Sequence, residues 1–253
     1  MIQVNETGTS IKFKPGIVMG GRIDHECGSM KCIGWFIEGI IPLLIFGKER
    51  SQVTFSGVTN DAQDLSVDVL KYATIPVLQR FGIHGLEVHV IRRGAAPNGG
   101  GIVEFSCPIC REIKPINHVE MGLIKRVRGV AFCARISPTI ISRVVESARG
   151  ALNNFLPDVY INSDHYRGAD GGASAGYSLS LFAESTSGVI LSTERTSAPG
   201  ELPEDIGEEG AFLLLEEISR GGTIDSSHQA LVLQLMILAP EDVCKVSFLV
   251  YPY

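Results

Sequence analysis

Arg92-Arg93-Gly94-Ala95-Ala96-Pro97-Asn98-Gly99-Gly100-Gly101 is the stretch on which the reading of this chain turns. It lies between two strand-like runs, 86–91 and 102–107. Three consecutive glycines let a backbone turn sharply or approach another group closely, because no Cβ intervenes. The two arginines at its head offer planar cationic forks suited to phosphate or carboxylate. A Walker-type phosphate loop ends in lysine and serine or threonine and opens a helix. Here Ile102-Val103-Glu104-Phe105 follows, and it reads as strand, so that fold is excluded. Two readings remain: a hairpin turning at Asn98-Gly99, or a loop that holds an anion.

Working outward, the pentapeptide Gly20-Gly21-Arg22-Ile23-Asp24 is followed by an apolar segment, 27–44, that reads as a buried helix, and by a strand at 52–55. Gly221-Gly222-Thr223-Ile224-Asp225 is followed in the same way by an apolar helix at 229–238 and a strand at 245–250. Two copies of one helix-and-strand pattern make an internal repeat. Before the glycine loop come a strand at 10–14 and a helix at 65–81, kinked or broken by Pro76. After it, 126–135 alternates as a strand. Ser137-Pro138 then caps and opens a helix whose apolar face carries Ile141, Val144 and Ala148. A strand at 159–162, a Gly- and Ser-rich loop at 164–176 and a hairpin of 177–184 with 189–192 follow, then a linker at 197–203 and a helix through 212–218. The expected fold is α+β. Repeated βαβ-type units, each a sheet with helices on one face, form a large domain from 1–125 and 197–253, and a smaller α+β domain, 126–196, is inserted between them.

With 45% hydrophobic and 20% charged residues, the composition is that of an ordinary globular chain. The longest apolar run, 40–46, is far short of a membrane span, so no membrane partner is expected. The N-terminus has no basic region followed by an apolar core and reads as carrying no signal peptide. Six cysteines in a chain this long do not make a disulfide framework, which suggests a reducing, intracellular compartment. The net charge of −6 does not advertise a nucleic-acid binder, yet the charge is uneven. Residues 111–149 carry eight basic and three acidic residues, and 200–225 carry eight acidic and one basic. An acidic protein can still present a local phosphate-binding face.

Cys107-Pro108-Ile109-Cys110 has the spacing of a redox or zinc half-site, but no helix start lowers the first thiol and no second ligand pair completes a zinc site. No metal and no cofactor is expected. Asp61, Asp64 and Asp68 are spaced to share one helix face, where acids at a helix start are favoured by the dipole. Lys125, Arg126 and Arg128 lie on a predicted strand whose alternation puts Arg126 and Arg128 on one face, able to follow phosphates. No paired aromatics accompany them, so base stacking is unsupported by the sequence.

These residues, taken together, resemble the RNA 3′-terminal phosphate cyclase superfamily, and within it the cyclase-like branch of eukaryotic ribosome assembly. The resemblance rests on Asn5-Glu6-Thr7-Gly8-Thr9, Gly57-Val58-Thr59-Asn60-Asp61, Ser66-Val67-Asp68-Val69-Leu70-Lys71 and the glycine loop. Lys125-Arg126-Val127-Arg128-Gly129, Leu202-Pro203-Glu204-Asp205 and Gly221-Gly222-Thr223-Ile224-Asp225-Ser226 extend it. It implies a large domain of related α+β units with a smaller inserted one. Cyclases adenylate a histidine and activate an RNA 3′-phosphate for ring closure. In this chain Ala96 stands where the cyclases carry an aromatic before Pro97. Asp225 and His228 stand where their pocket has a tyrosine and an acid. Their AMP-accepting histidine falls beyond Tyr253, and a first repeat falls before Met1. The resemblance thus implies no catalytic residue and a vestigial nucleotide pocket at Pro97, Gly99, Gly100, Gly101, Asp225 and His228, with Arg92, Arg93, Lys125, Arg126 and Arg128 as RNA or phosphate contacts. It further implies a nucleolar factor in early pre-rRNA cleavage and 18S rRNA maturation within the small-subunit processome. Its partners would be a ribosome-assembly GTPase, pre-rRNA and the small nucleolar RNP particle. The alternatives are an ATP-using cyclase and a pre-rRNA endonuclease. A chain short of one repeat would also leave apolar faces exposed, and poor solubility or self-association is expected.

Overall fold

Two four-stranded sheets organise the chain, and each joins a parallel strand pair with a crossover helix to antiparallel neighbours. The computed structural model describes residues 2–248. A short antiparallel pair, β1 (Ile2–Val4) and β2 (Ile11–Phe13), precedes the first sheet. That sheet is built from β3 (Gly21–Cys32), α1 (Ile33–Leu44) and β4 (Ser51–Val58). A helical run follows: α2 (Val67–Val69), a π turn over Leu70–Thr74, and α3 (Ile75–Arg80). The hairpin β5 (Glu87–Arg92) and β6 (Gly101–Cys107) completes the order β3-β4-β6-β5. After β7 (Asn117–His118), the second sheet is built from β8 (Ile124–Ala134), α4 (Pro138–Leu152), β9 (Val159–Tyr166), β10 (Gly176–Ser185) and β11 (Ile190–Thr196), in the order β11-β10-β8-β9. Then come α5 (Pro203–Arg220), α6 (Gln229–Leu238) and β12 (Lys245–Val246), which runs parallel to β7. The architecture is α+β.

Period-two burial explains the first sheet. Val53 and Phe55 of β4 and Val103 and Phe105 of β6 point inward, where Ile33, Ile37 and Ile41 of α1 and Leu70, Leu78 and Phe81 of the second helical run meet them. The segment 27–44, read as one helix, divides at Cys32. Up to that residue it is strand, paired in parallel with β4 through Gly28↔Gly57 and Cys32↔Val58. Gly28 sits at φ +69°, outside the helical region, and places a bulge there. The helix begins at Ile33, and Gly34 lets it lie against the preceding loop. A Cβ at Gly34 would fall 1.8 Å from the Leu65 carbonyl oxygen. Pro76 is met by the π turn just upstream, which relieves the missing N–H and the ring's clash with the preceding turn.

The repeated pentapeptides occupy matching places. Ile23 pairs in parallel with Val53 across α1, and Ile224 pairs in parallel with Phe248 across α6. Ile224, Leu231, Val232 and Leu235 join the core of the first sheet. The expected strand at 245–250 is seen as β12 and the Phe248 bridge, and residues 249 and 250 lie outside the described ones.

The second core holds α4 and α5 on one face of the second sheet. Val144 and Ala148 meet Ile206 and Leu214 over Val127, Leu179 and Leu191. The sequence placed the end of the inserted unit at 196, yet α5, beyond that point, shares this core. Gly207 brings α5 against α4, where a Cβ would lie 2.4 Å from the Val144 carbonyl oxygen. The basic and acidic stretches meet here, with Arg143 forking Glu204 at 2.5 and 2.7 Å. Among the described residues no helix is long and apolar enough to cross a membrane.

Candidate functional site

The face of the second sheet turned away from α4 and α5 looks onto the first unit, and the glycine loop lies between them. The loop spans 93–100 and joins β5 to β6 as an antiparallel hairpin, with Val90 opposite Val103. It is longer than the two-residue turn expected at Asn98-Gly99. Its glycines serve close approach. A Cβ at Gly99 would lie 2.7 Å from the Gly57 carbonyl, and one at Gly172 would lie 2.4 Å from the Gly99 oxygen. The loop is stitched down by Gly99 N–H to Ala95 O at 3.0 Å and by Ala173 N–H to Gly99 O at 2.8 Å. Asn98 N–H donates to Ser174 Oγ at 3.0 Å. Arg92 donates its Nε–H to Gly100 O at 2.6 Å.

Arg93 is the centre of this junction and is only 4% exposed. Its two terminal nitrogens fork Asp68, each bond 2.7 Å long. A further bond of 2.8 Å reaches Asp164 on β9, and the guanidinium stacks over Phe132 of β8, 5.0 Å from the ring centre. Asn60 donates to Asp68 at 3.3 Å and to Ser178 Oγ on β10 at 3.2 Å. Burial alone would lower the Arg93 pKa, and the two carboxylates more than reverse that. Asp61, Asp64 and Asp68 do not share a helix face as the sequence suggested. Asp61 and Asp64 lie in the loop before α2, where Asp61 caps the amides of Gln63 and Asp64, and only Asp68 is helical.

Pro97 lines a cleft of about 590 Å³ with Ala95, Ala96, Phe132, Tyr177 and Ser178, and Gly99, Gly100 and Gly101 do not line it. Asp225 and His228 lie elsewhere, each almost wholly buried. One Asp225 oxygen accepts from the Ser192 amide at 2.8 Å and hydroxyl at 2.6 Å, while the other pairs with His228 Nδ1 at 2.6 Å. His228 Nε2 meets Thr74 Oγ1 at 2.7 Å. Burial would raise the Asp225 pKa, but His228 and Ser192 hold it below its usual value. Burial would lower the His228 pKa, but Asp225 holds it above. The pair is a buried ion pair that fastens the start of α6 to β11 and to the π turn.

A second cleft, of about 350 Å³, is lined by Trp35, Glu38, Asp61, Asp64, Glu194 and by Ser227, the neighbour of His228. Glu194 Oε1 accepts from the Ser66 amide at 3.2 Å. Burial, helped by Asp68 and Asp61, pushes its carboxyl up to about 7. The sequence reading passed over Glu194. Its signal was the β11 alternation, which sets Ser192, Glu194 and Thr196 on one face. A carboxyl whose pKa rises on folding binds more protons folded than unfolded, so stability falls as pH rises from about 4.5 to about 7. Glu194→Gln is therefore expected to raise stability at pH 8 by on the order of 1–3 kcal/mol. The gain should vanish by pH 4.5, as urea unfolding at the two pH values would read out.

The remaining basic candidates stand in ion pairs. Arg126 bonds Glu184 through its Nε at 2.8 Å, Lys125 lies 3.8 Å from the same carboxylate, and Arg128 forks Asp158 at 2.8 and 3.1 Å. The Cys107 thiol is buried and pushed up to about 12, which suits an inert packing role. Among the described residues no cluster of His, Cys, Asp and Glu is arranged to hold a metal ion.

The architecture is thus a hairpin loop wedged between two α+β units, each with a parallel crossover. Residues 1–249 match the family described as RNA 3′-terminal phosphate cyclase, and the chain belongs to that family. Within it, the chain is 47% identical to the RNA 3′-terminal phosphate cyclase-like protein of Homo sapiens, over 97% of this chain and 68% of that protein. A Dictyostelium discoideum protein of the same cyclase-like description is also 47% identical, over 97% of this chain and 71% of its own. An rRNA processing protein of Schizosaccharomyces pombe is 44% identical, over 96% and 68%.

Proposed function

We propose that this protein acts in rRNA processing as a member of the cyclase family that does not cyclise RNA ends. Its step is early pre-rRNA cleavage and 18S rRNA maturation in the small-subunit processome. It works in the nucleolus, in company with a ribosome-assembly GTPase. The observation that carries the reading is the 44% identity to an rRNA processing protein over nearly the whole chain. The site supports it. Ala96 leaves the Pro97 cleft without an aromatic wall on the loop side, and His228 is held in a buried ion pair, out of reach of a nucleotide. Depletion is expected to lower 18S rRNA and to accumulate its precursors on a northern blot, with the protein co-sedimenting with pre-ribosomal particles. Normal 18S processing after depletion would sink the proposal, as would a covalent adduct after incubation with α-labelled ATP.

A further inference from the structure

The fold brings together, at the far end of the second sheet, residues that the sequence keeps apart. Arg128 on β8 is paired in register with Tyr160 on β9 and with Phe182 on β10, and Val130 is paired with Asn162. Val159 and Ile161 of β9 enter the second core, so Tyr160 and Asn162 point out of the opposite face. Tyr160 is 64% exposed and stands on the edge strand. From the first unit, Tyr72 reaches over to Phe182, ring centres 5.4 Å apart, and is 43% exposed. Between the two tyrosines lies a cleft of about 330 Å³, lined also by Val130 and Phe182 and by the polar Asn162, Arg128 and Glu184.

We infer that this cleft is a stacking platform for single-stranded RNA, an assignment that rests on the rRNA-processing reading for its choice of RNA. Exposed aromatic rings, here Tyr160 on the sheet and Tyr72 on the π turn, accept any base, because every base presents a π face. Asn162 carries both donors and an acceptor for a base edge. The cleft itself is lined by one cation, Arg128, and one carboxylate, Glu184, and further cations stand around it although the chain is acidic. Lys125 and Arg126 share one carboxylate, Glu184, and Arg128 faces Asp158. Lys71 lies over the Tyr72 ring at 5.3 Å. Four cations against two carboxylates leave an excess of positive charge, the complement of a phosphate backbone. The cleft is recessed between two rings, which suits an unstacked base and not a duplex, whose bases are already stacked.

The test is fluorescence anisotropy of the full chain with a short fluorescein-labelled oligouridine at low salt, beside a duplex RNA of equal length. Single-strand binding is expected to exceed duplex binding and to weaken roughly 5-fold or more on Tyr160→Ala. Tyr160→Phe should keep its affinity, and Arg128→Ala should flatten the salt dependence. Tyr160 is exposed and Arg128 is half-buried in its fork to Asp158, so unchanged thermal melting is the check that both variants fold. Absence of saturable single-strand binding, equal affinity of Tyr160→Ala and the parent, or preference for the duplex would overturn the assignment. The two readings fail separately. Tyr160-dependent binding with normal 18S processing after depletion keeps the platform and removes the function. Impaired processing that Tyr160→Ala restores in full, with undiminished RNA binding, keeps the function and removes the platform.

Discussion

Arg93→Ala is expected to lower folding stability by about 3–5 kcal/mol, the cost of leaving a buried carboxylate without its cation. Asp68 is only 3% exposed and receives both arms of the Arg93 fork at 2.7 Å. With the guanidinium gone, its nearest remaining donor is the Asn60 amide at 3.3 Å. Asp164 loses its partner too, and Phe132 loses the cation stacked on it. The loss would act on both units, because Asp68 belongs to the first helical run and Asp164 and Phe132 to the second sheet. Urea unfolding followed by circular dichroism should show the midpoint fall. Pairing Arg93→Met with Asp68→Leu should recover much of the loss, since an apolar pair avoids the desolvation cost of the ions. A change below about 1 kcal/mol in Arg93→Ala would mean that the pair contributes little beyond its own burial.

His228→Ala should cost a comparable amount, about 3–5 kcal/mol, and for the same reason, because it leaves Asp225 charged inside the core. This pair also fixes a pH window. The Asp225 pKa is lowered, so its contribution is present above its unfolded value and is lost as pH falls through the lowered one. The His228 pKa is raised, so its contribution is full below about 6.5 and is lost as pH rises through the raised value. Asp225→Asn should remove both dependences. Unfolding midpoints of parent and Asp225→Asn across pH 3 to 9 should differ most in the middle of that range. Parallel curves would show that the pair does not titrate as an ion pair.

These two residues show how far a sequence can be read. Gly-Gly-x-Ile-Asp recurs at 20–24 and 221–225, and the structure bears out the shared parallel crossover. Yet Asp24 is exposed at an edge strand and Asp225 is buried against Ser192. Period and spacing are properties of the local chain, so they reach the crossover. What faces an aspartate depends on a strand more than thirty residues away. The helix expected over 27–44 formed only from Ile33, for a related reason. Its apolar composition suited helix and strand equally, and pairing with β4 decided in favour of strand up to Cys32.

The glycine loop divides the same way. Its position between strands, its exclusion from the Walker class and the α+β layout follow from residue order alone, because hairpin chemistry and period-two burial are local. Its partners do not. The chain that presses against Gly99 comes from Gly57 on β4 and from 171–174, and the carboxylates that hold Arg93 come from α2 and β9, brought in by the packing of one sheet on another unit. The same packing sets Tyr72 and Tyr160, eighty-eight positions apart, on either side of the cleft that Arg128 borders. Residue order alone carried the family, the crossover repeat and the alternation of β4 and β6. Tertiary structure alone decided which charges are buried in pairs and which aromatic rings face solvent, because burial and pairing are set by neighbours in space.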